Sequence, residues 1–140
     1  FRGTLGVDRQ VQLRGKDLFL VVEYQRDGLG VAGPEEYVSL LQSATFHRGE
    51  HQVLGRDETV VQASYQFNPL WNIAGLWLWN LNDRSALISP SLAYSASANA
   101  SISAGVFFGI GRSDITPTRP LPSEYGLAGT TGYVSLSWFF

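Results

Sequence analysis

Cysteine is absent from the chain, which removes disulfides, thiolate metal sites and cysteine nucleophiles together. Methionine is absent too, so Phe1 is not a translation start and the chain is expected to be a processed product or a piece of something longer. No secretory leader stands at the N-terminus, as export followed by cleavage would leave it. No run approaches the roughly 18 consecutive apolar residues of a transmembrane helix. Charge is scarce as well. Asp, Glu, Lys and Arg make up 16% of the 140 residues, against roughly 25% in an ordinary soluble domain. The net charge of −2 gives no electrostatic reason to expect a nucleic-acid partner. The length suits one domain.

What the chain has instead is aromatic residues and alternation. Eight Phe, six Tyr and four Trp are present. Segments 59–82 and 85–111 contain no charged residue and are separated only by Asp83-Arg84. A water-soluble sheet of that length carries Lys or Glu on its wet face. Long uncharged segments that alternate, instead of running solidly apolar, suit a membrane-spanning β-hairpin.

Taken in order, Phe1 to Leu13 places apolar residues at odd positions, broken only by Arg9, with Arg2, Asp8 and Arg14 in the even set. Arg14 to Asp17 reads as a tight turn. Leu18, Leu20, Val22 and Tyr24 form the next apolar face, opposite Glu23. A connector follows at 28–48. Pro34-Glu35-Glu36 ahead of Tyr37, Val38, Leu40 and Leu41 predicts a short helix, with proline in its first turn and acids near its start. A poorly patterned third strand is expected at Glu50 to Leu54. Four clear strands then alternate: 59–68, 71–82, 86–97, with Pro90 inside it, and 100–110. A long loop at 112–132 precedes the last strand. About eight strands are expected.

The last eight residues, Tyr133 to Phe140, put Val134, Leu136, Trp138 and Phe140 on one face and mostly small polar groups on the other. The stretch resembles the closing strand of bacterial outer-membrane β-barrels, which ends in an aromatic residue with apolar residues at alternate positions before it. The resemblance implies that Val134, Leu136, Trp138 and Phe140 are read by the barrel-assembly machinery. It implies a single all-β domain over 1–140: a transmembrane antiparallel up-and-down β-barrel, or the C-terminal part of a larger one. Outer-membrane lipids and lipopolysaccharide would surround it, with a homo-oligomer or a missing barrel portion as further partners. The bacterial outer membrane is the expected location.

With Phe140 at the periplasmic end, eight strands send the turns at Arg14/Lys16/Asp17, Arg56/Asp57/Glu58 and Asp83/Arg84, and the 112–132 loop, to the outside. The turns at Asn68-Pro69-Leu70 and Ala98-Asn99, with the helical connector, go to the inside. Charged or long loops outside and tight turns inside is the polarity of such barrels. Tyr65, Trp71, Trp79, Tyr94 and Trp138 near strand ends would supply interfacial girdles. The soluble alternative, a calycin-like barrel with an apolar interior, lacks charge for its wet face.

His47-Arg-Gly-Glu-His51 matches the inverted zincin pattern, which needs both His on one helix face. Gly49 interrupts it, the flanks lack helical periodicity, and no third ligand is apparent. No metal and no cofactor are expected. Gly105 to Gly111 contains no phosphate-loop spacing; its glycines would bend the strand or make room inside. No Ser/His/Asp arrangement is credible with both His in one stretch, and no enzyme is expected. Arg2, Asp8, Arg14, Glu23, Gln62 and Gln66 would point into the lumen, as a structural polar network or as pore-lining groups. Arg9, if near a strand end, would snorkel to the interface. The expected function is a pore for passive passage of small polar solutes. A structural or anchoring barrel without transport is the alternative, and a lipid-modifying enzyme a more distant one.

Overall fold

The computed structural model describes residues 1–50, 53–117, 120–126 and 128–139. Among them seven strands form one antiparallel sheet in strict chain order. They are β1 (Arg2–Leu13), β2 (Lys16–Asp27), β3 (Asp57–Asn68), β4 (Trp71–Asn80), β5 (Ser85–Ser97), β6 (Ala100–Ile110) and β7 (Thr131–Trp138). Between β2 and β3 lie a 3-10 turn (Pro34–Glu36) and two short helices, α1 (Tyr37–Leu41) and α2 (Ala44–His47). The up-and-down order agrees with the alternation in the sequence. The sheet is open: among the described residues β1 and β7 do not touch.

The register makes the alternation into two continuous faces. Val7, Val22, Val61, Trp77, Ile88 and Phe108 stand in one transverse row. Ile102 opposite Leu136 and Ala104 opposite Val134 extend that face across β7. The other face carries Gln62 opposite Leu76, Ser91 opposite Gly105 and Ser103 opposite Ser135. A slip of one residue in any strand would exchange the faces, and cross-strand pairs of β-branched and aromatic residues hold the register. Pro90 sits in β5 opposite Gly75. The β5–β6 ladder resumes in the same register on either side of it, with Ile88 opposite Phe108 and Ser91 opposite Gly105.

Three expectations need correction. Among the described residues of the third strand expected there, Glu50, Val53 and Leu54 lie in irregular chain and form no strand; His51 and Gln52 lie outside the described residues. Among the described residues seven strands, not eight, are therefore present. Removing one strand reverses the end assigned to everything before it. The Arg14 turn belongs with the Asn68-Pro69-Leu70 and Ala98-Asn99 turns, and the helical connector with the Asp83-Arg84 turn and the 111–130 loop. We call these the short-turn end and the long-loop end. Arg14 and Gly15 both adopt positive φ, 53° and 74°, the two-residue hairpin geometry that matches strand twist. At the next short turn Asn68 Oδ1 accepts the N–H groups of Leu70 (2.9 Å) and Trp71 (3.0 Å).

The third correction concerns Arg9. It stands opposite Leu20, in the row of Ala63, Gly75 and Pro90, inside the ladder and away from the strand ends. Of the closing residues, Val134, Leu136 and Trp138 share the apolar face; Phe140 lies outside the described residues.

Candidate functional site

The long-loop end is where the buried polar groups gather. The small polar face ends there in a row formed by Gln25, Glu58, Asn80 and Ser85. Asn80 and Ser85 have no exposed surface, and Glu58 is 5% exposed. Onto this row fold α1, through Tyr37, and the 111–130 loop, through Ser123, Glu124 and Tyr125.

Each contact follows from local chemistry. Proline at the start of its 3-10 turn and two acids in the first turn launch the helical segment. Its apolar side buries Tyr37 and Leu40. The Tyr37 hydroxyl donates to Asp83 Oδ2 (2.7 Å) and accepts from Asn80 Nδ2 (3.0 Å). Asn80 Nδ2 also donates to Glu124 Oε2 (2.6 Å), and Asn80 Oδ1 accepts the Asn82 N–H (2.8 Å). Glu124 accepts the N–H groups of Leu54 (2.8 Å) and Gly55 (3.1 Å). Asp83 takes the N–H and hydroxyl of Ser85 on one oxygen (2.9 and 2.6 Å) and the Glu124 N–H (2.6 Å) on the other. Tyr125 donates its N–H to Ser85 Oγ (3.2 Å) and its hydroxyl to Glu58 (3.3 Å). One network thus ties connector, β3, β4, β5 and loop.

Small residues let the loop lie this close. A Cβ on Gly109 would collide with the Tyr125 carbonyl oxygen, and one on Gly111 with Ser123 Oγ. The loop backbone rests directly on β6, with Gly109 N–H donating to Ala128 O (3.3 Å). Burial, reinforced by Asp83, raises the Tyr37 hydroxyl above the ordinary tyrosine range. Burial, then the Glu124 and Glu58 carboxylates, does the same for Tyr125. Both hydroxyls are therefore held as donors at neutral pH. Beside the network a cavity of about 250 Å³ is lined by Pro34, Asn82, Asp83, Arg84, Arg112 and Ser123.

Five of the six residues expected in a lumen are dispersed over the face opposite the apolar one. Arg2 forms an ion pair with buried Asp27 (2.9 Å) and donates to Glu50 O, at the long-loop end. Asp8 stands opposite Val21, and Glu23 lies between Gly6 and Val60. Gln62 is opposite Leu76, and Gln66 opposite Asn72. Arg14 is in a turn beyond the end of β1 and is not a face residue. His47 ends α2 on the surface, and His51 is outside the described residues. Among the described residues no group of three His, Cys, Asp or Glu is placed to hold a metal ion.

Sequence reasoning missed Tyr37, Asn80, Asp83, Ser85 and Glu124 as one site. The signal it did hold was acid, Asn and Ser crowded at the Asn80 to Ser85 turn. Comparison with protein-family models, with curated proteins and with solved structures found no match. The class is therefore set by the fold: an all-β protein with an open, seven-stranded, antiparallel up-and-down sheet.

Proposed function

We propose that this sheet is the wall of an integral outer-membrane β-barrel that passes small polar solutes. One observation carries the reading. β4 to β7 bear no charged residue on either face, and their alternate residues join into one apolar face and one that is mostly Ser, Asn, Ala and Gly, with Leu76, Leu78, Leu87, Phe107 and Tyr133 among them. In water such an apolar face has nothing to cover it; in a bilayer lipid tails cover it, and the backbone is satisfied within the sheet.

Dimensions agree. β3 to β6 are 10 to 13 residues long, about 34–44 Å at roughly 3.4 Å per residue. A strand tilted about 40° needs about 33 Å to cross an apolar band of ~25 Å. Aromatic rings mark both ends of that face. Tyr65, Trp71, Tyr94 and Trp138 lie near the short turns, with the Trp71 and Tyr94 rings 4.6 Å apart. Tyr24 and Trp79 lie toward the long-loop end. The ion pair Arg26–Asp57 (2.9 Å) sits beyond them at the ladder's edge.

In this reading the long-loop network lays the 111–130 loop and the connector across one mouth and narrows it. The chain would partner outer-membrane lipids and lipopolysaccharide and would be assembled through its last strand. The test is single-channel conductance of the complete gene product in planar bilayers. A stable conductance whose ion selectivity shifts in Glu23→Gln is expected. Silence from a protein that inserts would overturn transport in favour of an anchoring barrel, the reading favoured by the loop pinned across the mouth.

A further inference from the structure

β1 and β7 run in the same direction. Five strands separate them and each neighbouring pair is antiparallel, so both travel from the long-loop end to the short-turn end. Each presents a row of unpaired backbone N–H and C=O groups along its free edge, and both are exposed along almost their whole length. Bringing these edges together would make a parallel pair in a sheet that is otherwise antiparallel. A second copy in the same orientation does not help, because its β1 beside this β7 is again a parallel pair. A second copy turned over gives antiparallel edges but puts the two long-loop ends on opposite sides of the sheet, hence on opposite sides of a membrane.

We propose that the opening between β1 and β7 is the pairing site of an odd number of further antiparallel strands, one in the smallest closure, supplied by the same polypeptide ahead of β1. This deepens the barrel reading above and rests on it. The direction of the strands, and not the position of the first residue, sets the requirement. The barrel reading makes β7 the closing strand, and every strand here pairs with its neighbour in sequence, so in that reading the strand beside β1 is the one that precedes it. It runs from the short-turn end to the long-loop end and enters β1 through a turn there. Its outward residues are apolar at every second position, continuing the faces of Leu5 and Val7 (77% and 67% exposed) and of Val134 and Leu136 (78% and 68%). Its inward residues are small or polar, facing the Gly6, Asp8 and Gln10 side of β1 and the Ser135 and Ser137 side of β7.

Strand parity can be read from where the leading end of the polypeptide lies. The complete gene product is produced in cells with an epitope tag at its mature N-terminus, another in the 98–99 turn, or a third in the 111–130 loop. In intact cells antibody should bind the loop tag alone; the N-terminal and 98–99 tags should become visible only on permeabilisation. An N-terminal tag that reads with the loop tag means an even number of added strands and overturns the proposal. A second arm uses the absence of cysteine from these residues. Leu5→Cys with Val134→Cys, and Val7→Cys with Leu136→Cys, the pairs one parallel register would bring level, should give no disulfide under oxidant. One intervening strand holds the edges about 10 Å apart, beyond the ~7 Å that a disulfide spans. A disulfide within one chain would show parallel closure, and one between chains would show a second copy; either overturns the proposal. A wholly soluble product would sink the membrane reading by itself, and the disulfide arm would still decide the strand question.

Discussion

The Asn80 amide nitrogen lies 2.6 Å from Glu124 Oε2, although 44 residues separate them in the chain. The same nitrogen reaches the Tyr37 hydroxyl at 3.0 Å. One side chain with no exposed surface therefore joins β4, the helical connector and the long loop. Its oxygen serves the N–H groups of Asn82 and Asp83. Satisfied polar groups in a dry place specify one arrangement, and the loss of one partner leaves the others desolvated and unpaired.

Glu124 should therefore control where the loop rests. Glu124→Ala strips the Leu54 and Gly55 N–H groups and the Asn80 amide of their acceptor, at about 1.5–3 kcal/mol for bonds to a charged group. Limited proteolysis should then cut within 111–130 many times faster than in the parent, with β-sheet content unchanged by circular dichroism. Glu124→Gln keeps an acceptor and should fall between the two. If the loop narrows a pore, the alanine variant also conducts more. Equal cleavage rates in all three proteins would remove the network from the account of the loop.

Tyr37→Phe deletes a hydroxyl that both donates and accepts. Asp83 and Asn80 lose a partner, at a cost of about 1–3 kcal/mol, seen as a lower urea midpoint or an earlier loop cleavage. The same contact sets an alkaline limit. The buried hydroxyls of Tyr37 and Tyr125 bind their protons more tightly in the folded protein than in the unfolded chain. Their contribution is complete below about pH 10, the ordinary tyrosine value, and declines as pH rises above it. The parent should lose loop protection above that pH, and Tyr37→Phe should show a shallower decline. A parent profile flat to pH 12 would contradict this.

Much of the sheet was legible because alternation is a local signal. Five of the seven strands read from 59–68, 71–82, 86–97, 100–110 and the closing stretch fall within about two residues of their ends, and the hairpin of β1 and β2 follows from Arg14-Gly15. Two features were not legible. Residues 44–56 carry polar and apolar side chains without period, and Leu54 and Gly55 are held by a contact from afar, Glu124 accepting their N–H groups. A strand placed there changed the parity of everything upstream. The long-loop network was hidden for a related reason. Tyr37, Asn80 and Glu124 meet only after four strands have paired, and no spacing in the chain marks them as neighbours.

Arg9 gives a direct check on what the apolar face touches. It stands in the row of Ala63, Gly75 and Pro90, well inside the ladder. A cation facing lipid that far from the interface costs about 2 kcal/mol or more. Arg9→Leu should therefore raise the denaturant midpoint of the inserted protein. No change, or a loss, would mean that Arg9 meets protein or water and that the face near β1 is covered by something other than lipid.

The tryptophans on the same face test the membrane reading as a whole. Trp77 stands in the row of Val61 and Ile88 and is 45% exposed; Trp138 near the short-turn end is 62% exposed. Trp77 also stacks near Trp79, with ring centroids 6.1 Å apart, so single-tryptophan variants are needed to separate the emissions. If the apolar face touches acyl chains, a quencher fixed deep in the bilayer should dim Trp77 more than Trp138, because Trp77 is farther from the strand ends. A quencher at the headgroup should reverse that order, since aromatic rings at strand ends sit at the interface. Soluble iodide should dim neither by much. Emission from both that is bright with bilayer quenchers and dim with iodide would place the apolar face in water, and the barrel wall would have to be given up.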